Sequence, residues 1–148
     1  PTSVDPNAGR PRLTISTLRR WLPPLAKRIP PLVSAYLVPG RVSPRLREAT
    51  MLGVTSVNRC AACARVHERW ARTVGLPVGD PLGFTTDEAA AYRFGQSLAS
   101  MAPGAARPPV GLGARHRAEL EAVGMLMELA NLAGNRFLAA PGRERGPG

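Results

Sequence analysis

Proline and glycine divide this chain into apolar segments of helical length, and this division is the strongest constraint on its fold. The 148 residues include 16 prolines and 15 glycines, most of them at the ends or between apolar runs. Within the runs, apolar residues such as Leu46, Ala49 and Leu52 recur at helical spacing, and no alternating strand pattern of useful length occurs. Aromatic residues make up only 5%, so smaller apolar side chains must fill the core. The sequence predicts an all-α protein.

Capping signals predict where the helices begin and end. The proline pair at 23–24 is expected to interrupt a short first helix. Ser43, which precedes a proline, is typical of the start of a long helix. A further helix is predicted to begin at the cysteines and to end at Gly75. Thr85 begins a capping-box pattern that opens another helix, and the last helix is expected over 115–139.

The length fits a single domain, which we place at 13–140 between a flexible lead at 1–12 and a flexible tail at 141–148. The formal net charge is +10, but the arginines are scattered and few aromatic residues lie among them, so no nucleic-acid partner is expected. No apolar run is long enough to span a membrane, and the first residues lack the apolar core of a signal peptide. These features favour a cytoplasmic protein without a membrane partner.

The two cysteines form a C-x-x-C pattern followed by a histidine. Cys60, Cys63 and His67 are spaced i, i+3 and i+7, which places them on one face of a helix. Cys60 falls at the helix start, where free backbone N–H groups and the helix dipole stabilise a thiolate. An imidazole one turn from Cys63 can accept its proton. This combination indicates a dithiol redox centre.

Glu48 lies twelve residues before Cys60, on the preceding helix. If the two helices form an antiparallel hairpin with a turn near 57–59, Glu48 and His67 lie at one level and can face each other. The carboxylate would then orient the imidazole and raise its basicity, as in an activated nucleophile. Two other interpretations of the cysteines stay open: a zinc site with three ligands crowded on one helix, and inert core residues. We expect neither a metal nor a cofactor.

Glu128 stands within an apolar stretch of the last predicted helix. A buried carboxylate needs a partner, so we expect either a paired side chain, with Arg136 as one candidate partner, or a subunit contact. Asn131 and Asn135 on the same helix fit a capping role, an interface or a polar patch at the substrate side, and the sequence leaves these choices open.

The run from Glu48 to His67, EATMLGVTSVNRCAACARVH, resembles the E-x11-C-x-x-C-x-x-x-H motif of the AhpD-like branch of the carboxymuconolactone decarboxylase family. The resemblance covers about 13–140 and includes the closing ELANLAGNRFLAA. It implies an AhpD-like helical bundle that assembles as a homotrimer or homohexamer. It also implies peroxidase or disulfide-reductase activity, with Cys63 as the peroxidatic thiol, Cys60 as the resolving thiol, and His67 with Glu48 as the proton relay. One position departs from the best-studied branch, because Ala62 stands where that branch has a histidine between the cysteines.

The expected function is therefore reduction of a hydroperoxide through the cysteine pair, which another dithiol then reduces. Slow turnover is expected because of Ala62. The first alternative is a non-enzymatic redox-sensing oligomer, whose cysteines close under oxidant and change the binding of a partner. A lactone decarboxylase is disfavoured by the C-x-x-C pair, and a basic nucleic-acid binder has charge but no motif.

Overall fold

A computed structural model of the chain describes residues 9–39, 41–79 and 81–138. This part contains six α-helices and no strand, so the prediction of an all-α fold is confirmed for it. The tail predicted at 141–148 and most of the lead predicted at 1–12 lie outside the described residues. The helices are α1 (Ile15–Ala26), α2 (Ile29–Leu37), α3 (Pro44–Asn58), α4 (Ala61–Thr73), α5 (Thr86–Ser100) and α6 (Ala114–Phe137), with a 3₁₀ turn at Pro81–Gly83 before α5.

The capping signals are found where the sequence places them. The Ser43 hydroxyl accepts a hydrogen bond from the N–H of Leu46 at 3.3 Å. At the start of α5, the Thr85 hydroxyl accepts from the N–H of Glu88 at 3.3 Å, and the Glu88 carboxylate accepts from the N–H of Thr85 at 2.9 Å. Each cap satisfies backbone donors that the helix itself leaves free.

The proline pair at 23–24 does not interrupt α1, and this expectation was wrong. The helix continues to Ala26, and the turn follows at Lys27. Trp21 and Leu25, on either side of the pair, are buried in the core with 3% and 9% of their surface exposed. Burial of two large apolar side chains offsets the hydrogen bonds that the prolines cannot donate.

Helices α3 and α5 approach so closely that their backbones touch at two glycines. A Cβ atom added at Gly53 would overlap the Tyr92 carbonyl, and one added at Gly95 would overlap the Thr50 carbonyl. The buried face of α6, which includes Leu120, packs against α3 as well. The carboxyl half of α3, which leads into the cysteine motif, is therefore held by close backbone packing against α5.

The N-terminal segment and α2 are both attached to α6. The N–H of Leu13 donates to the Leu132 carbonyl at 2.9 Å, and the Arg136 guanidinium donates to the Leu13 carbonyl at 3.0 Å. Nearer the start of α6, the fully buried Glu119 accepts from the Ser34 hydroxyl of α2 at 2.7 Å and from the N–H of Val42, after α2, at 3.0 Å. Among the described residues, no helix is both long and apolar enough to cross a membrane.

Candidate functional site

The turn between α3 and α4 places the cysteines at the start of a helix, as predicted. Arg59 caps α3 in the left-handed conformation, with φ of 53°, which reverses the chain within one residue. Cys60 follows as the N-cap of α4, and its Sγ accepts from the N–H of Cys63 at 3.3 Å. A sulfur at this position lies at the positive end of the helix dipole, where a thiolate is stabilised once the pair is reduced.

Cys60 and Cys63 are joined by a disulfide, with their Cα atoms 5.3 Å apart. This Cα separation is ordinary for disulfides. The two cysteines differ in access to solvent. Cys60 is 1% exposed, whereas Cys63 is only partly buried. A reactant that arrives from solvent therefore meets Cys63 first.

Glu48 and His67 face each other across α3 and α4, as the hairpin argument anticipated. His67 Nδ1 lies 2.9 Å from Glu48 Oε2, and the two side chains are 18% and 12% exposed. We call these two residues the relay pair. The bond fixes the orientation of the imidazole, and Nε2 has no hydrogen-bond partner among the described residues. Because Cys63 and His67 are one helical turn apart, the free nitrogen belongs to the face of α4 that carries the more exposed sulfur.

The disulfide rests on a glycine of α6. A Cβ atom added at Gly134 would lie 2.6 Å from Cys60 Sγ and 3.1 Å from Cys63 Sγ. Cys63 Sγ also lies 3.9 Å from the Ala130 carbonyl oxygen. Position 134 must therefore stay without a side chain for both sulfurs to pack against α6 as they do.

Next to this glycine, buried polar side chains of α6 hold the turn that carries Cys60. Asn135 Nδ2 donates to the Asn58 carbonyl at 2.8 Å and to the Pro11 carbonyl at 2.9 Å. Glu128 Oε2 accepts from Asn58 Nδ2 at 2.5 Å. We call Glu128, Asn131, Gly134 and Asn135 the α6 floor of the site.

Glu128 is paired, but not with Arg136, which was the suggested partner. Arg136 binds the Leu13 carbonyl instead, and Glu128 is paired with the neutral amide of Asn58. Burial raises the pKa of Glu128 to about 7, an effect that the Asn58 hydrogen bond and the charge of Arg20 reduce only in part. A charged residue in an apolar run indicated that Glu128 needs a partner, but the sequence did not indicate that this partner lies 70 residues away.

A pocket of about 400 Å³ opens beside Cys60, and sequence reasoning did not anticipate it. Cys60 forms part of its wall, whereas Cys63 and the relay pair do not. The remaining wall comes from the end of α3, the start of α4, the segment before α5, and α5 itself. Phe84 and Tyr92 contribute apolar surface and pack edge to face, with ring centroids 5.6 Å apart.

No family model, no curated protein and no solved structure matches this chain. The function of the site is therefore inferred from its own chemistry. Across the described ranges, no group of three or more histidine, cysteine, aspartate or glutamate side chains is arranged to hold a metal ion. What the motif residues do form is a disulfide with one sheltered and one accessible sulfur, and a carboxylate–imidazole pair on the adjoining helix turn.

Proposed function

We propose that this chain is a thiol-dependent peroxidase and disulfide oxidoreductase of the AhpD-like type. The observation that carries the proposal is that two contacts, the disulfide and the His67–Glu48 hydrogen bond, lie on successive turns of α4. Its first turn holds the Cys60–Cys63 disulfide, and its second turn holds His67 against Glu48 at 2.9 Å. A structural staple has no need of an oriented imidazole one turn away, whereas a nucleophilic thiol does.

In the proposed reaction the reduced Cys63 thiolate attacks the terminal oxygen of a hydroperoxide. The O–O bond breaks, an alcohol leaves with one proton, and Cys63 becomes a sulfenic acid. Cys60 then attacks the Cys63 sulfur, which forms the disulfide and releases water. His67 takes the thiol proton and returns it to the leaving oxygen, while Glu48 holds the imidazole in place. The greater exposure of Cys63 supports its role as the attacking thiol.

The cycle closes when an external dithiol reduces the disulfide, which fits a cytoplasmic setting. We also place the working form as a homotrimer or homohexamer. Ile29, Val33 and Leu37 follow one another at i, i+4 and i+8 on α2, and 53%, 47% and 76% of their surfaces are exposed. An apolar stripe of this kind is typical of a subunit contact. Light scattering that gives only a 15.7 kDa species at micromolar concentration would exclude the assembly.

The test of the activity is the reaction of reduced protein with one equivalent of cumene hydroperoxide or hydrogen peroxide. We expect peroxide loss, together with loss of two hydrogens localised to residues 60–63 by mass spectrometry. In Cys60→Ser the oxidation should stop at a sulfenic acid on Cys63, which a dimedone-type reagent traps. The matched variant Cys63→Ser should not consume peroxide. If the wild-type thiols stay free while peroxide persists, the proposal fails.

A further inference from the structure

The exposed surface of α4 beside Cys63 carries an apolar pair and a cationic pair. Val66 and Trp70 are one turn apart, with 52% and 58% of their surfaces exposed. Arg65 and Arg69 are also one turn apart and exposed, and neither takes part in an ion pair among the described residues. We call these four residues the α4 face. An exposed tryptophan with an apolar neighbour is typical of an interaction surface.

The α4 face adjoins the sulfur that solvent reactants meet first. Val66 follows Cys63 at i+3, which makes the two residues neighbours on the helix surface. Trp70 follows His67 in the same way, and Arg69 follows Val66. Across the surface of α4 the order is therefore the reactive sulfur, the apolar pair and the cationic pair. A protein that brings a thiol to Cys63 must cover this face.

The charge of the α4 face favours one kind of occupant. A second copy related by a twofold axis would bring the same arginines towards each other, and like charges across a contact weaken it. An acidic protein would instead neutralise them, and their field would steer it to the face. A nucleic acid also carries negative charge, but it has no thiol and so does not account for the position of the face beside Cys63.

We propose that the α4 face docks an acidic protein with a reactive dithiol and an adjacent apolar residue, and that this protein reduces the disulfide. The inference rests on the proposed function. One partner thiolate attacks Cys63 Sγ, the S–S bond breaks, and Cys60 leaves as a thiolate that the start of α4 stabilises. The second partner thiolate then attacks the partner sulfur of the mixed disulfide and releases Cys63. The partner leaves as a disulfide, having given two electrons and two protons to the cysteine pair.

The probes are two synthetic peptides that share one dithiol core with a leucine beside it. Aspartates flank the core in one peptide and lysines in the other, and uncharged dithiothreitol measures the intrinsic reactivity of the protein disulfide. Each rate of reduction is divided by the rate of the same reductant with a small neutral disulfide. We expect the acidic peptide to react about 10–100-fold faster than the basic peptide at low ionic strength. Added salt should reduce this difference.

Charge reversal on the α4 face tests the docking directly. Arg65→Glu combined with Arg69→Glu should reverse the preference between the peptides and leave the rate with dithiothreitol unchanged. The matched control is Arg115→Glu combined with Arg117→Glu. These two arginines are exposed near the start of α6, about 20 Å along that helix from Ala130, where α6 contacts the disulfide. The control has the same net charge and should keep the wild-type preference.

Trp70→Ala should slow the acidic peptide about tenfold and leave dithiothreitol unchanged. Equal corrected rates for the two peptides, or equal effects of the two double variants, overturn the inference and leave the peroxide reaction intact. A change of oligomeric state in Arg65→Glu, Arg69→Glu also overturns it, because the face would then be a subunit contact. So does saturable binding of duplex DNA that this variant loses. A disulfide that no reductant opens would overturn both proposals.

Discussion

Two carboxylates near the cysteines, Glu48 and Glu128, illustrate how one residue type serves two different ends. Each accepts a hydrogen bond from a side chain on another helix, at 2.9 Å from His67 and 2.5 Å from Asn58. Glu48 is part-exposed, and its partner is an imidazole, a side chain that can exchange a proton. Glu128 is 4% exposed, and its partner is an amide that exchanges none. The first arrangement suits proton transfer, whereas the second fixes the turn before Cys60.

The comparison separates reactivity from stability. Variants of the relay pair should change the rate of the thiol reaction and leave the fold almost unaffected. Variants of the α6 floor should change the free energy of unfolding first, because the buried polar groups there lose partners that water cannot replace.

The largest expected effect is that of His67→Ala. Without the imidazole, the reduced Cys63 has no adjacent base, and its reaction with peroxide should slow by about 10²–10⁴-fold. Its alkylation by iodoacetamide should also require a higher pH. The free energy of unfolding should change by only about 1 kcal/mol, as for the loss of one part-exposed side-chain hydrogen bond. Stopped-flow rates and urea denaturation measure the two quantities.

The other histidine, His116, provides the control, since His116→Ala should alter neither rate nor stability. If the free energy of unfolding of His67→Ala instead fell in proportion to its rate of reaction with peroxide, the relay pair would be a structural contact. It would then not differ in kind from the α6 floor.

The next effect is the pH dependence that Glu128 contributes. Its pKa in the folded chain is about 7, against an ordinary value of 4.5, so the folded state holds the proton more tightly than the unfolded state. The contribution of Glu128 to the free energy of unfolding is at its full value below about pH 4.5, falls as pH rises to about 7, and stays at its lower value above that pH. Over that interval the loss amounts to about 3 kcal/mol. Glu128→Gln keeps an acceptor for Asn58 and should abolish the loss.

Denaturation of wild type and variant between about pH 3 and 8 measures the difference. Glu88→Gln is a control of opposite sign. The Glu88 pKa is lowered, chiefly by its hydrogen bond with Arg45, so its contribution is present above about pH 4.5 and is lost as pH falls. Equal pH profiles for wild type and Glu128→Gln would show that Glu128 does not contribute to the pH dependence of the free energy of unfolding.

The smallest of the three effects is expected for Gly134→Ala. The added Cβ would lie 2.6 Å from Cys60 Sγ, and overpacking of this kind costs about 1–3 kcal/mol. In a Cys60→Ala, Cys63→Ala background, neither cysteine sulfur is left to contact position 134. There the same change should be neutral or stabilise the helix by up to about 1 kcal/mol. An equal cost in both backgrounds would show that the glycine is required by something other than the disulfide.

Local chemistry made the cysteine helix predictable. A cap and a helical spacing each involve residues a few positions apart, so Ser43, Thr85 and the Cys60 N-cap were found where expected. The facing of Glu48 and His67 followed from the shortness of the hairpin connection.

The features that escaped prediction depend on contacts between distant segments. Whether α1 continues through its proline pair depends on how deeply Trp21 is buried, which only the assembled core decides. The partner of Glu128 and the Cys60 pocket depend on the relative placement of several helices and the segment before α5. A sequence pattern marks such residues as unusual, but it does not say what they meet.

The glycine crossing of α3 and α5 has a consequence for how this sequence can diverge. At Gly53 and Gly95 even a methyl group meets a main-chain carbonyl of the opposite helix, which has no rotamer to change. Substitution at either site therefore forces whole helices apart, and α3 would carry the cysteine turn with it. Every other residue carries a Cβ atom, so both positions require glycine for the two helices to pack as they do.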